Sequence, residues 1–209
     1  MSKPFTKPVI IDPYYDCPSW IDSKVIRKEY VTLSEESKDE DVVLFLILLF
    51  GYNNIEVKQS LEDSFNELFN EDQVAISGGI AFFEDQNKKI LPSCCCGLED
   101  WNEVYHSVRS KSSPWLGHDP NPGIIYQGNY VRVWSDDPDS SKENKETKEK
   151  LYFIEYEYEE LLKCLDKTKE DLINFNKGPL FKWIYSRNNE IGNKMTQKME
   201  QWFLSDFDK

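Results

Sequence analysis

The chain of 209 residues is 39% hydrophobic and 14% aromatic, which is enough apolar surface to build a substantial core. Its formal net charge at neutral pH is -13. Because proteins bind nucleic acids and anionic membranes through clustered Lys and Arg, this charge argues against both as partners.

The negative charge is concentrated in one part of the chain. Between Thr32 and Glu103 there are 16 acidic and 4 basic side chains, a net charge of -12. Two interpretations stay open. The acidic residues form either a solvated surface that keeps the protein soluble, or an acidic face that attracts and steers a basic partner.

The cysteines and the apolar runs bear on the compartment. There are five cysteines, an odd number, and Cys94 to Cys96 are consecutive, which is not the pattern of a disulfide framework. The first residues lack the apolar stretch of a secretory signal, and the run Val42 to Phe50 is too short to cross a bilayer as a helix. We therefore expect a protein of the reducing cytoplasm.

The first half of the chain predicts strands and one helix. Residues 1–20, rich in Pro and aromatic side chains, predict an extended segment on the surface. The apolar run 42–50 fits a buried strand or a buried helix, and its length and the turn residues after it favour a central strand. Helical spacing of apolar residues predicts a helix at 60–69. Further strands are expected at 74–83 and 89–91.

The second half contains the clearest hairpin and the longest helices. Two apolar stretches flank Gly128-Asn129 and predict a hairpin over 124–134. Residues 136–150 are charged and predict a flexible insertion or linker. After a strand at 151–154, apolar residues at helical spacing predict a helical part over 155–207, in which Gly178-Pro179 ends the first helix.

The order of these elements indicates the fold class. Strands dominate up to Trp134 and helices dominate after Glu155, which favours an α+β fold over an alternating α/β fold. We expect one domain spanning residues 1–209. It would contain a mainly antiparallel sheet in the N-terminal two-thirds, with the helical C-terminal third packed against it.

Chemically distinctive residues gather between Cys94 and Trp134. Cys94 and Cys96 would point to the same side of an extended chain while Cys95 points away, and His106 and His118 are candidates for further zinc ligands. Structural zinc sites normally show cysteine pairs two to four residues apart, and a second pair is missing. We therefore expect no metal and no cofactor. The weak candidates for metal ligands are Cys94, Cys96 and His106.

Two catalytic arrangements are also open in this region. Cys96 precedes a predicted helix, whose N-terminal dipole would favour the thiolate and make Cys96 a nucleophile. The adjacent carboxylates Glu99 and Asp100 act against this, and a small buried thiol is the simpler interpretation. His118 and Asp119, held in a Pro- and Gly-rich loop, are the candidates for an acid–base pair, or for side chains that fix the loop through hydrogen bonds.

The sequence contains no phosphate-binding loop, nucleophile elbow or zinc-protease motif. The acidic, aromatic-rich α+β profile is similar in physical type to small bacterial immunity proteins, although no specific motif is shared. The leading hypothesis is an acidic, non-enzymatic binding protein of the immunity or regulatory type that captures a basic protein partner. The alternative is a small enzyme that uses Cys96 or the His118–Asp119 pair. The expected binding residues are Trp101, Trp115, His118, Asp119, Arg132 and Trp134.

Overall fold

The computed structural model describes residues 3–21, 24–137 and 151–204. One antiparallel sheet has the strand order β2-β1-β3-β4, and a second has the order β5-β6-β7. The strands are β1 (Phe5–Ile11), β2 (Tyr30–Thr32), β3 (Gly78–Phe83), β4 (Lys89–Ile90), β5 (Gly123–Gln127), β6 (Tyr130–Trp134) and β7 (Phe153–Glu157). The helices are α1 (Asp39–Tyr52), α2 (Leu61–Phe69), α3 (Trp101–Arg109), α4 (Tyr158–Phe175), α5 (Phe181–Tyr185) and α6 (Asn189–Phe203). The predicted α+β class is confirmed.

The N-terminal segment is extended, but its surface position was predicted wrongly. Strand β1 lies inside the first sheet, paired with β2 on one side and β3 on the other. Val9 and Ile10 are fully buried. Further along, Trp20 packs against Phe50 and Trp183, with ring centroids 5.8 and 6.3 Å apart. Much of the segment is therefore part of the core.

The apolar run Val42 to Phe50 is helical, which corrects the predicted central strand. All nine residues are buried as the middle of α1. A helix that is apolar on every side is surrounded by protein, so its sequence shows no helical periodicity of apolar and polar residues. Its acidic first turn, Asp39 to Asp41, complements the positive end of the helix dipole.

The other predicted elements are present with shifted boundaries. Helix α2 begins after Ser60, whose side chain accepts a hydrogen bond from the Asp63 amide at 3.1 Å. The strand predicted at 74–83 begins only at Gly78, and the predicted hairpin matches β5 and β6. Strand β7 continues to Glu157, so the helical part starts three residues later than expected.

The helical C-terminal part contains one departure from the predicted pattern. Gly178-Pro179 does not end the helix, because residues Asn176–Leu180 form a π-helical turn that continues directly into α5. A wider turn tolerates the missing amide of proline better than a regular α-helix does. Of the predicted insertion 136–150, residues 138–150 lie outside the described residues, as do 205–207 at the end of the helical part.

Two large apolar clusters form the interior. One is built from β1, β2, α1, α2, α5 and α6 with the end of α4, and the other from the five strands β3 to β7 and α3 with the start of α4. Leu161 and Leu165 of α4 belong to the second cluster, whereas Leu172 and Phe175 belong to the first. The buried Tyr156 hydroxyl of β7 donates to the Phe5 carbonyl of β1 at 3.0 Å and so connects the sheets. Within the described residues, no helix is both long and apolar enough to span a membrane.

Candidate functional site

Two loops that are distant in sequence meet beside the first sheet. The loop after β4 and the loop before β5 form an antiparallel bridge between Cys94 and His118. The His118 amide donates to the Cys94 carbonyl at 3.2 Å, and the Ser93 amide donates to the Leu116 carbonyl at 3.0 Å. The bridge brings cysteine and histidine residues of the candidate region to one place.

Ser93 and Gly117 hold the two loops in close contact. The Ser93 hydroxyl lies within hydrogen-bonding distance of three carbonyl oxygens of the facing loop, among them that of His118 at 3.2 Å. Gly117 has a φ of +98°, and a Cβ atom there would stand 2.8 Å from the Cys94 carbonyl oxygen. Only glycine permits this approach without displacing one of the loops.

Cys94, Cys95 and His118 form an exposed cluster at the junction, which we call the thiol–imidazole cluster. The Sγ atoms of Cys94 and Cys95 are 3.1 Å apart, and one potential ligand atom from each of the three residues lies within 4.8 Å of the others. The expectation that Cys95 points away from Cys94 was wrong. Cys95 has a φ of +68°, so the chain is not extended there and the alternation of side chains is broken.

The remaining weak metal candidates, Cys96 and His106, lie outside this cluster. Cys96 is buried, and burial, followed by the nearby charges of Asp100 and Glu99, raises the pKa of its thiol to about 12. The thiol therefore stays protonated at neutral pH, which removes the basis for Cys96 as a nucleophile. His106 is exposed on α3, with its ring 5.9 Å from that of Tyr105.

His118 and Asp119 are both exposed, and their side chains are not hydrogen-bonded to each other in the described part of the chain. The ring of His118 instead lies 5.8 Å from that of Trp115, which is 48% exposed. The imidazole therefore lies beside an aromatic ring, and in the described part of the chain no hydrogen bond to Asp119 orients it for acid–base work.

The other predicted binding residues have different surroundings. Trp101 is 1% exposed, so its expected role as a surface anchor was wrong and it belongs to the second apolar cluster. Trp134 is partly buried against Phe153, with ring centroids 4.8 Å apart. Arg132 is paired with Glu155 at 2.7 Å. Trp115 is therefore the most exposed of the predicted aromatic anchors.

Three exposed tyrosines, Tyr14, Tyr15 and Tyr52, were missed by sequence reasoning. Tyr14 and Tyr15 line an open groove of about 540 Å³ together with Gly51. A Cβ atom at Gly51 would stand 2.1 Å from Cγ of Tyr15, so the ring of Tyr15 lies directly on this glycine, next to Tyr52. Partial burial, followed by the charges of Glu99, Tyr15, Cys95 and Cys94, raises the pKa of Tyr52.

A second open groove, also of about 540 Å³, is lined in part by Cys94. Its charged lining consists of Asp12, Glu29, Asp119 and Lys89. The chain matches no protein-family model, no curated protein and no solved structure. The grooves and the thiol–imidazole cluster are therefore the features of this surface that suggest a function.

Proposed function

We propose that this protein acts in the cytoplasm as a non-enzymatic binding protein that captures a basic protein. The observation that carries the proposal is a set of exposed tyrosines bordered by carboxylate-lined grooves. We call Tyr14, Tyr15 and Tyr52 the tyrosine surface; their exposed fractions are 58%, 40% and 40%.

The side chains of the tyrosine surface suit protein binding. Tyrosine combines a large apolar ring with a hydroxyl that can hydrogen-bond, and it loses little conformational entropy on binding, so it is enriched at the energetic centres of interfaces. Tyr15 is already held against Gly51 before any partner arrives. A side chain ordered in advance reduces the entropic cost of association.

The charges around the tyrosine surface favour a basic partner. Its own groove is lined by Asp16 and Glu56 against Lys58. The groove beside Cys94 carries three carboxylates against one lysine. A third groove, which includes Tyr52, carries Asp72 and Glu99 and no basic side chain. Complementary charge speeds the encounter with a cationic protein and orients it.

The enzymatic alternative has less support from the same region. The thiol of Cys96 is buried and has a raised pKa, and among the described residues the His118 imidazole donates no hydrogen bond to the Asp119 carboxylate. General base and nucleophile need to lie within hydrogen-bonding distance of each other or of a bound substrate. The open, acidic grooves fit recognition of a surface better than enclosure of a small substrate.

The test is a capture experiment with matched variants. Immobilised wild-type protein is incubated with a lysate of the source organism at low and at physiological ionic strength, and the bound proteins are identified by mass spectrometry. We expect one basic protein that is bound more weakly as salt increases. The variant Tyr14→Ala/Tyr15→Ala/Tyr52→Ala should lose most of this binding.

Two exposed tyrosines elsewhere provide the control. Tyr130 and Tyr185 are 49% and 38% exposed and do not line the grooves beside the tyrosine surface. The variant Tyr130→Ala/Tyr185→Ala should retain full binding. Equal capture by both sets of variants, a partner that is acidic, or binding that does not depend on salt would show that the proposed function is wrong.

A further inference from the structure

The thiol–imidazole cluster contains a combination of donors that zinc prefers. Two thiols and one imidazole, all exposed, offer ligand atoms within 4.8 Å of one another. Thiolate sulfur and imidazole nitrogen are the ordinary protein ligands of Zn²⁺, at about 2.3 Å and about 2.0–2.1 Å respectively. The proposed binding function does not depend on these three residues, and none of them belongs to the tyrosine surface.

The spacing of the donors is close to that of a bound ion. Two sulfur atoms on a tetrahedral Zn²⁺ lie about 3.8 Å apart, given the usual zinc–sulfur distance. The Sγ atoms of Cys94 and Cys95 are 3.1 Å apart. Rotation of exposed side chains closes this difference without movement of the backbone, since neither sulfur is enclosed by other groups.

The backbone around the cluster is held in place, whereas the ligand atoms are accessible. Cys94 and His118 face each other in the antiparallel bridge, and Ser93 joins its loop to three carbonyls of the other loop. The Trp115 ring restricts the imidazole from one side. Because the backbone that carries the ligands is held before the ion arrives, only side-chain rotation has to be ordered on binding, which limits the entropic cost.

We propose that Cys94, Cys95 and His118 form a zinc-binding site, in which two thiolates and one neutral imidazole hold the ion and a water molecule completes a tetrahedral shell. Binding releases one proton from each thiol, so two negative charges on sulfur neutralise the two positive charges of the ion. Three protein ligands and one exchangeable position distinguish this site from a closed structural site with four protein ligands.

The experiment titrates the fully reduced full-length protein with Zn²⁺ in competition with a chromophoric chelator. We expect one ion per chain. In parallel, Co²⁺ should produce a thiolate-to-cobalt charge-transfer band in the near ultraviolet, which reports sulfur ligation directly. Each of the variants Cys94→Ser, Cys95→Ser and His118→Ala should raise the Kd for Zn²⁺ by about tenfold or more.

The chain offers a matched control for each kind of ligand. Cys164 is a partly buried thiol on α4, and His106 is an exposed imidazole on α3. Cys164→Ser and His106→Ala should leave the Kd and the cobalt spectrum unchanged. Far-ultraviolet circular dichroism checks that all variants are folded. Absence of the charge-transfer band in wild-type protein, or an unchanged Kd in the Cys94→Ser and Cys95→Ser variants, would overturn the site.

These outcomes are separate from those of the partner-capture experiment. The zinc titration needs no partner, and the Tyr14→Ala/Tyr15→Ala/Tyr52→Ala variant should bind zinc with one ion per chain as the wild type does. Conversely, failure to find a basic partner does not change the expected zinc stoichiometry. The experiments can therefore disprove the zinc site without disproving the binding function, or disprove the binding function without disproving the zinc site.

Discussion

The hydroxyl oxygens of Thr6 and Thr168 lie 2.7 Å apart in the interior, where they join strand β1 to helix α4. The Thr168 hydroxyl donates to the Cys164 carbonyl at 2.9 Å, so the shared hydrogen bond between the two threonines takes its proton from Thr6. Thr6 is 2% exposed and Thr168 is fully buried. Each hydroxyl therefore depends on protein groups for its hydrogen bonds.

Removing the two hydroxyls should have unequal effects. Thr168→Val leaves the buried Thr6 hydroxyl without its acceptor and should lower the free energy of unfolding by about 1–3 kcal/mol. Thr6→Val should cost less, because Thr168 keeps its bond to Cys164. Urea unfolding of both single variants and the double variant measures the coupling. If the double variant lost more free energy of unfolding than the two single variants together, the pairing would be contradicted.

Asp171 makes the second polar connection between α4 and β1. Its carboxylate is buried and lies 2.7 Å from the Lys7 amine and 3.2 Å from that of Lys167. We expect Asp171→Ala to lower the free energy of unfolding by about 2 kcal/mol, since charged hydrogen bonds inside a protein contribute about 1.5–3 kcal/mol.

Glu170 is the matched control for this change. It is the preceding residue on the same helix, it lies 3.5 Å from the same Lys167, and its side chain is 66% exposed. Exposed ion pairs contribute little, so Glu170→Ala should change the free energy of unfolding by well under about 1 kcal/mol. Equal losses in the two variants would show that burial of Asp171 is not what gives the pair its strength.

The three consecutive cysteines should differ sharply in reactivity. Cys94 and Cys95 are exposed, whereas Cys96 is 3% exposed with a pKa raised to about 12 by burial first and by nearby carboxylates second. Because only the thiolate reacts, brief alkylation at neutral pH should label the first two residues and leave Cys96 unmodified. Tandem mass spectrometry resolves the three positions, with urea-unfolded protein as the control in which all three are labelled. Equal labelling rates in the folded state would contradict the assigned burial of Cys96.

The tyrosines predict a loss of stability in alkaline solution. Burial, aided by a hydrogen bond to Asp166, raises the pKa of Tyr105 to about 12, and burial also raises the pKa of Tyr126 and of Tyr156. An unfolded chain releases tyrosine protons near pH 10, whereas the folded chain retains them. Unfolding is then accompanied by proton release, so the stabilisation is complete below about pH 10 and is lost as the pH rises further.

The measurement is the urea midpoint at a series of pH values from neutral to about pH 11, above the ordinary pKa of tyrosine. The midpoint should fall above about pH 10. Tyr156→Phe removes one contributing phenol and should make the fall less steep. A midpoint that rises through this range would have the wrong sign for buried, protonated tyrosines.

The fold class could be predicted from the sequence, but helix α1 could not. Amphipathic elements such as α2 show their periodicity because one face meets water. Residues 42 to 50 are buried on every side, so their sequence is uniformly apolar and has no periodicity that would distinguish a helix from the predicted strand. The acidic residues Asp39 to Asp41 were the available sign of a helix N-terminus.

The geometry of the candidate site could not be predicted from the sequence. Cys94 and His118 are 24 positions apart and meet only because two irregular loops form a bridge. The direction of the Cys95 side chain depends on its positive φ. The alternation of side chains in an extended chain does not describe a residue with that φ. Tyr14, Tyr15 and Tyr52 are brought together by the close approach of Tyr15 to Gly51, a contact without a sequence pattern.

Helix α4 contributes core residues to both apolar clusters and therefore bears on unfolding. Leu161 and Leu165 pack in one apolar cluster, and Leu172 and Phe175 of the same helix pack in the other. Because the helix is continuous, loosening of either cluster removes the packing that supports one end of α4. We therefore expect the slowest-exchanging amides of the two clusters to open in the same global event, which hydrogen exchange of the native protein would measure.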